Sequence, residues 1–245
     1  MHATLEVPVD CASAGLLAGP FADRLEACDD LPSEGWSPRW DLVRQLAADT
    51  GVHVVAMLRP RIPGAVAELV PAAFRTTPAL LDACLREADE AARAGARSVA
   101  LSLLTSDAHV DTDACARLVT AIRDRGMEPA FLRTFDLLAD RERGMRDLTA
   151  LGFVRVVTAG VRGWDASVRT VAERVATLQQ DAANAERFAR ELGRVPVEVV
   201  PGGGVRAANA REFLRASPHL HASCRRDGAI NAEELRDLRA ALSAR

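Results

Sequence analysis

The chain contains 245 residues, 49% of them apolar, and its 31 basic residues nearly balance 34 acidic ones to leave a net charge of −3. This composition supports a buried core and excludes a disordered chain, and without a strong basic field we expect no nucleic acid as a partner. Lysine and tyrosine are absent, so every basic side chain is an arginine. Schiff-base chemistry and a Walker-type phosphate lysine are therefore excluded.

Neither a membrane span nor a secretion signal is expected, because no run of about 18 apolar residues occurs and the first residues lack a basic-then-apolar pattern. The five cysteines include no CxxC pair, which argues against a disulfide framework. The sequence therefore predicts a cytoplasmic protein.

Short apolar segments alternate along the chain with longer amphipathic segments, and this alternation predicts eight strands, each followed by a helix. In chain order these strand and helix pairs are Thr4–Pro8 and Cys11–Ala18, Arg24–Cys28 and Arg39–Ala48, Val52–Arg59 and Thr77–Ala94, Ser98–Leu104 and Thr112–Arg125, Glu128–Arg133 and Asp140–Ala150, Val154–Thr158 and Asp165–Leu192, Val197–Val200 and Ala207–Ala216, and Leu220–Ser223 and Ala232–Leu242.

Eight such units in about 250 residues are typical of a single (β/α)8 TIM barrel. We therefore predict one α/β domain over residues 1–245. A doubly wound open sheet is the alternative, but Val9–Ser13, after the first strand, lacks the glycine-rich turn that such folds use for nucleotides. The segment Asp165–Leu192 is long for one helix, so a break within it is an alternative.

Polar residues near strand ends indicate the catalytic face, because a TIM barrel forms its site there. A lone buried carboxylate is costly, so Glu6 and Glu26 each need a cationic partner if they point inward. His221 is the histidine best placed for proton transfer. The alternative for the two glutamates is a structural layer of ion pairs. The predicted catalytic residues are Glu6, Glu26, Arg133, Asp136 and His221.

Anion binding is predicted at two further places on this face. Arg59 and Arg61 follow a buried strand, where a guanidinium can hold a carboxylate or phosphate. The glycine turn after the seventh strand offers free amides to a phosphate. The alternatives are a solvated loop and a tight strand-to-helix turn. The predicted substrate-binding residues are Arg59, Arg61, Thr158, Gly202, Gly203, Gly204 and Ser223.

Several ordered segments resemble the CutC family of copper-homeostasis proteins. Ala22–Cys28 is similar to the family's GADRxELC, Ser33–Pro38 to EGGxTPS, Met57–Arg61 to MIRPR, Phe131–Asp136 to FHRAFD, Arg155–Gly160 to RVLTSG, Pro201–Val205 to PGGGV, and His221–Ser223 to HxSA. The resemblance implies a TIM barrel and a role in copper homeostasis, with copper(I) as the bound metal.

The resemblance also implies a thiol that binds copper, and Cys28 matches one cysteine of the family's pair. Pro8 occupies the place of the other cysteine, so Cys11 or Cys224 would be the replacement thiol. Leu132 occupies the place of the FHRAFD histidine. These departures point from copper toward a site for a small anion or a sugar.

Two functions therefore stay open: Cu(I) binding in copper homeostasis, and an isomerase, epimerase or lyase acting on a small anionic, sugar-like metabolite. The partner is a small molecule or a metal ion in either case. The carboxylates of Glu6, Glu26 and Asp136 also suit Mg²⁺ or Mn²⁺. A homodimer is left open as well, because barrel enzymes often pair. A barrel whose activity has decayed is the third alternative.

Overall fold

The computed structural model describes residues 3–243, which form eight parallel strands with helices between them. The strands are β1 (Thr4–Val9), β2 (Arg24–Ala27), β3 (His53–Leu58), β4 (Ser98–Leu101), β5 (Glu128–Phe131), β6 (Arg155–Thr158), β7 (Glu198–Pro201) and β8 (His219–His221). The helices are α1 (Ala12–Ala18), α2 (Trp40–Thr50), α3 (Pro78–Arg93), α4 (Thr112–Asp124), α5 (Arg141–Leu151), α6 (Val171–Leu192), α7 (Ala207–Phe213) and α8 (Ala232–Ser243). The predicted domain also includes residues 1, 2, 244 and 245, which lie outside the described residues.

The strands pair in the order β7-β6-β5-β4-β3-β2-β1-β8, which confirms the predicted TIM barrel. Seven neighbouring pairs form parallel ladders. Between residues 3 and 243, β7 and β8 lie side by side without such a ladder, so the barrel is nearly closed. Each helix between these residues is too short or too polar to span a membrane.

Successive strand residues point to opposite faces of the sheet. Leu5, Val7 and Val9 on β1 are fully buried and belong to the large core between strands and helices. The alternate residues point into the barrel, where Glu6 is only 1% exposed. Polar residues at these alternate positions therefore face one another across the barrel interior.

The predicted segment Asp165–Leu192 is divided, as the alternative reading proposed. A 3-10 turn covers Ala166–Val168, and α6 begins at Val171. Two caps cause the break: the Asp165 side chain accepts a hydrogen bond from Ser167 N, and Thr170 forms a reciprocal capping box with Glu173. The turn places the preceding Trp164 at the mouth of the barrel.

A short hairpin between β8 and α8 was not predicted. It consists of β9 (Arg225–Arg226) and β10 (Ala229–Ile230), which pair antiparallel. Asp227 and Gly228 form its turn with positive φ values of 51° and 78°. The hairpin brings Arg225 and Gly228 to the carboxyl ends of the strands.

Candidate active site

A cavity of about 990 Å³ opens at the carboxyl ends of the strands, where the fold predicts the site. Its wall includes the indole of Trp164 and apolar side chains from several loops. Among the predicted site residues, those that line the cavity are Glu26, Arg59, Arg133, Gly203, Gly204, His221 and Ser223. Those that do not line it are Glu6, Cys28, Arg61, Asp136, Thr158 and Gly202.

Glu6 lies below the cavity and orients His221. The two residues are register partners on β1 and β8, and Glu6 Oε1 lies 2.9 Å from His221 Nδ1. Glu6 Oε2 lies 3.1 Å from Arg24 Nε and 3.5 Å from Arg155 Nε. Burial alone would raise the pKa of Glu6, but the hydrogen bond to His221 and the charges of Arg155 and Arg24 lower that pKa well below its ordinary value. Glu6 is therefore an ionised carboxylate, which can only accept hydrogen bonds.

His221 has a different neighbour at each ring nitrogen. Glu6 accepts a hydrogen bond from Nδ1. The other nitrogen, Nε2, faces Glu26, whose Oε2 lies 3.9 Å away. Burial works against the charged ring, but the hydrogen bond to Glu6 and the charges of Glu26 and Glu6 raise the pKa of His221. The imidazole can therefore carry a proton on Nε2 at the wall of the cavity.

Glu26 is a buried carboxyl group that lines the cavity and lacks a full set of hydrogen bonds. Its side chain is 4% exposed, and Oε1 is buried without a hydrogen-bond partner among the described residues. Burial raises the pKa of Glu26 to about 7, an effect that the nearby charge of His221 opposes and that of Glu6 reinforces. A carboxyl group that lines a cavity and has a pKa near neutrality suits general acid or base catalysis.

Arg133 brings positive charge to the cavity wall. Its guanidinium lies 4.3 Å from the centre of the Trp164 ring and donates to the Trp164 carbonyl. Its Nε lies 3.4 Å from Asp136 Oδ2. The backbone of Gly203 passes directly beside the group, because a Cβ added to Gly203 would lie 3.0 Å from Arg133 Cζ. Arg133 is thus held at three points next to the glycine turn.

Asp136 and Thr158 form a buried support beneath Arg133. The Asp136 carboxylate accepts hydrogen bonds from Thr158 Oγ1 at 2.6 Å, from Ala159 N at 2.7 Å and from Arg141 Nη1 at 2.8 Å. With its oxygens engaged in this way, Asp136 positions Arg133 and has no access to a ligand. Thr158 is fully buried and accepts from Arg141, so it too is placed away from the cavity.

Arg59 and Arg61, both predicted to bind substrate, lie in different surroundings. The guanidinium of Arg59 stacks 4.1 Å from the centre of the Trp36 ring, and its Nη atoms donate to loop carbonyls of residues 33, 35, 66 and 67. Arg59 therefore ties two loops together at the cavity edge. Arg61 is half-exposed and pairs with Asp29 at 2.6 Å, outside the cavity.

The glycine turn presents the backbone of Gly203 and Gly204 to the cavity. The amide of Gly202 is already bonded to the Thr158 carbonyl at 2.8 Å. Arg174, which sequence reasoning missed, donates to the carbonyls of Gly202 and Gly203 at 2.8 and 2.7 Å and so fixes the turn from behind. Ser223 also lines the cavity and accepts from Arg206.

Cys28 lies in the barrel interior beneath the cavity. Its thiol is completely buried among apolar side chains and donates to the Val9 carbonyl at 3.7 Å. Burial, with the charges of Glu26 and Asp10, raises the pKa of this thiol well above its ordinary value. A protonated thiol is a poor metal ligand.

The other proposed thiols do not join Cys28. Cys11 is exposed next to Ser13, while Cys224 donates to the Ala222 carbonyl at 3.4 Å, and burial raises the pKa of Cys224 to about 12. Over residues 3–243, no group of three or more His, Cys, Asp or Glu side chains could hold a metal ion. These surroundings do not fit a thiolate site for Cu(I).

Sequence analysis also did not identify Arg24 and Arg155 as partners of Glu6, although the strand pattern gave a signal for Arg24. Arg24 lies two residues before Glu26 on β2, and a period of two places both on the inner face. Arg155 opens β6, and its inward direction follows only from the register of the barrel. Trp164 carried no pattern of its own, because it sits in an irregular loop.

Comparisons of the sequence and of the fold with known proteins relate this chain to the same family. The profile of the CutC family matches residues 4–225. A "family protein CutC" of Agrobacterium fabrum is 31% identical over 226 residues, which cover 90% of this chain and 78% of the relative. The human "Copper homeostasis protein cutC homolog" is 27% identical, covering 90% of this chain and 73% of the relative. A crystal structure of the putative copper homeostasis protein CutC from Streptococcus agalactiae shares the fold with a TM-score of 0.74 at 22% identity, covering 90% and 98% of the two chains.

Proposed function

The chain belongs to the CutC family, and from this premise we propose that it serves copper homeostasis through a proton-transfer reaction on a small anionic metabolite. The copper role is supported by the name of the human relative. The reaction is supported by one observation above all: Glu26 lines the cavity with a buried carboxyl group whose Oε1 has no partner, beside an imidazole that Glu6 orients. A molecule bound in the cavity can supply a hydrogen bond to this carboxyl group.

Glu26 and His221 would move the proton. With a pKa of about 7, Glu26 exchanges a proton readily near neutral pH. Glu6 holds the Nδ1 side of His221, so proton transfer would take place at Nε2. Glu6 acts on the substrate only through the imidazole and is a positioning residue.

Arg133 would hold the anionic end of the substrate. Its guanidinium faces the cavity beside Gly203 and is fixed by Trp164 and Asp136. Guanidinium and backbone amide groups together bind carboxylate and phosphate oxygens. Arg59, whose Nη atoms are bonded to loop carbonyls, would shape the cavity rather than bind the anion.

Deuterium exchange tests this proposal. The protein is incubated in D2O with D-ribose 5-phosphate or D-glucuronate, and incorporation at carbon is followed by NMR. We expect exchange that falls on the order of 100-fold or more in Glu26→Gln and in His221→Asn. Asp107→Asn, an exposed loop variant, serves as the control with an unchanged rate. The absence of exchange with both compounds would overturn the proposal. Full activity in both site variants would overturn it as well.

Direct Cu(I) binding by Cys28 is the second candidate, and only the family relationship favours it. The test is a titration of the reduced protein with Cu(I) against a chromogenic chelator under argon. From the buried, protonated thiol we expect no difference between the wild type and Cys28→Ser. Tight stoichiometric binding that Cys28→Ser removes would instead favour this candidate.

A further inference from the structure

On the basis of the proposed proton transfer, we infer that the site isomerises an anionic α-hydroxy carbonyl compound, with both carbon proton transfers on one face of the substrate. The geometry of Glu26 and His221 carries this inference. The two side chains project from β2 and β8, the strands on either side of β1. They therefore belong to a single stretch of the cavity wall.

The distance between the two groups fits one particular pair of substrate atoms. Glu26 Oε2 and His221 Nε2 lie 3.9 Å apart, too far for a hydrogen bond between them. Two groups at this spacing can reach neighbouring atoms of one small molecule. Enolisation requires such a pair, namely a base at a C–H bond and an acid at the adjacent carbonyl oxygen.

Inversion at carbon would require a second proton-transfer group on the opposite side of the substrate. The other carboxylates that line the described cavity are Glu34 and Asp165, and both are exposed at its mouth. Asp165 is moreover bonded to the amide and hydroxyl of Ser167. The chain has no lysine that could take the role. A proton that leaves toward Glu26 must therefore return from the same side.

The reaction balances within these two groups. The Glu26 carboxylate takes the proton from C2 of the substrate, the C–H pair becomes a C=C bond, and the carbonyl oxygen at C1 takes the proton of His221 Nε2. In the second half, Nε2 removes the proton from the C2 hydroxyl, the C2–O bond becomes a carbonyl, and C1 recovers the proton from Glu26. An aldose has become a ketose, and both side chains have regained their starting states.

The same two probes, examined for stereochemistry, test the inference separately from the proposed function. D-Ribose 5-phosphate is incubated in D2O, and the products are assigned by NMR. We expect ribulose 5-phosphate that carries deuterium at one of its two C1 positions only, and recovered ribose 5-phosphate that keeps its configuration at C2. D-Glucuronate should likewise give the ketose without the C2 epimer.

Two outcomes would overturn the inference in different ways. Arabinose 5-phosphate, or the C2 epimer of glucuronate, would mean that protons reach both faces, which refutes single-face transfer while the proposed proton-transfer function stands. Absence of any carbon-bound deuterium with both probes would refute the function and the inference together. Glu34→Gln is the discriminating variant: we expect unchanged stereochemistry and rate, whereas a 10-fold loss would contradict the inference by identifying a second base at the cavity mouth.

Discussion

Glu6 and His221 lie opposite each other on adjacent parallel strands, with Glu6 Oε1 2.9 Å from His221 Nδ1. The first and last strands of the barrel are thus joined by a contact between two side chains as well as by their ladder. Because the carboxylate also faces Arg24 and Arg155, it stays ionised and fixes which nitrogen of the imidazole faces the cavity. The ion pairs inside the barrel and the proposed proton-transfer site above them share this one carboxylate.

Substitution of Glu6 by Gln tests that shared role. The amide would leave Arg24 and Arg155 buried without their common counter-charge, which costs about 3–5 kcal/mol of the free energy of unfolding. The pKa of His221 should also fall, since the hydrogen bond to a carboxylate is lost. Urea unfolding measures the first effect, and an NMR titration of the imidazole measures the second. Because the folded-state pKa of Glu6 is lowered, the stability it contributes is complete above the ordinary glutamate pKa and declines as pH falls below it.

Glu128→Gln is the matched control for this substitution. Glu128 also faces Arg155, at 3.5 Å, but its side chain is 52% exposed. Water screens such a pair, so we expect a loss below about 1 kcal/mol and no change at His221. Equal losses in the two variants would contradict a special role for the buried carboxylate.

Glu26 predicts a pH dependence of stability with the opposite sign. Its pKa is raised to about 7 in the folded protein, so the folded state binds more protons than the unfolded state between the ordinary glutamate pKa and about 7. Stability from this group is therefore complete at low pH and declines as pH rises through that window. The free energy of unfolding of Glu26→Gln, relative to that of the wild type, should therefore rise by on the order of 3 kcal/mol between pH 4 and pH 8. Urea unfolding at a series of pH values measures the difference; a constant difference would show that folding does not raise the pKa of Glu26.

The sequence predicts the barrel well because the signals of its elements are local. Apolar strands of period two and amphipathic helices recur eight times, and no distant information is needed to recognise the repetition. The same period places Glu26 and Arg24 on one face of their strand, and a buried carboxylate within an apolar strand marks a candidate site residue. The acid and base candidates Glu6, Glu26 and His221 could therefore be named before their contacts were known.

The roles of the arginines could not be predicted in the same way, because they depend on contacts between segments far apart in the chain. Arg59 and Arg133 both follow strands and are equivalent in the sequence. One is bonded to loop carbonyls up to 26 residues away, while the other stacks on Trp164 at the cavity wall. The sequence could likewise not show whether Asp136 contacts a ligand or supports another side chain. Arg141, which donates to its carboxylate, begins a helix without any distinguishing pattern.

Arg59→Gln should weaken the fold rather than abolish anion binding directly. The guanidinium joins the loop at Gly35 to the loop at Ala67 through hydrogen bonds of 3.0 Å each. Loss of these donors leaves the buried Gly35 carbonyl without this partner, at a cost of about 1–3 kcal/mol. We expect faster proteolysis within residues 62–70 and a lower denaturation midpoint. Arg61→Gln, which removes a half-exposed pair with Asp29, should change stability by less than about 1 kcal/mol; the reverse ranking would contradict this assignment.

Gly203→Ala tests whether the glycine turn and Arg133 act as one anion-binding unit. Gly203 has a φ of +65°, and an added Cβ would lie 2.9 Å from Ala159 Cβ and 3.0 Å from Arg133 Cζ. The methyl group must therefore displace the guanidinium or the turn. Gly126→Ala is the matched control, since Gly126 has a φ of +72° but nothing within 4 Å of an added Cβ. Both variants incur the left-handed backbone cost of about 1–2 kcal/mol. Calorimetry with inorganic phosphate should show affinity lost in Gly203→Ala and retained in Gly126→Ala, whereas equal affinities would separate the turn from anion binding.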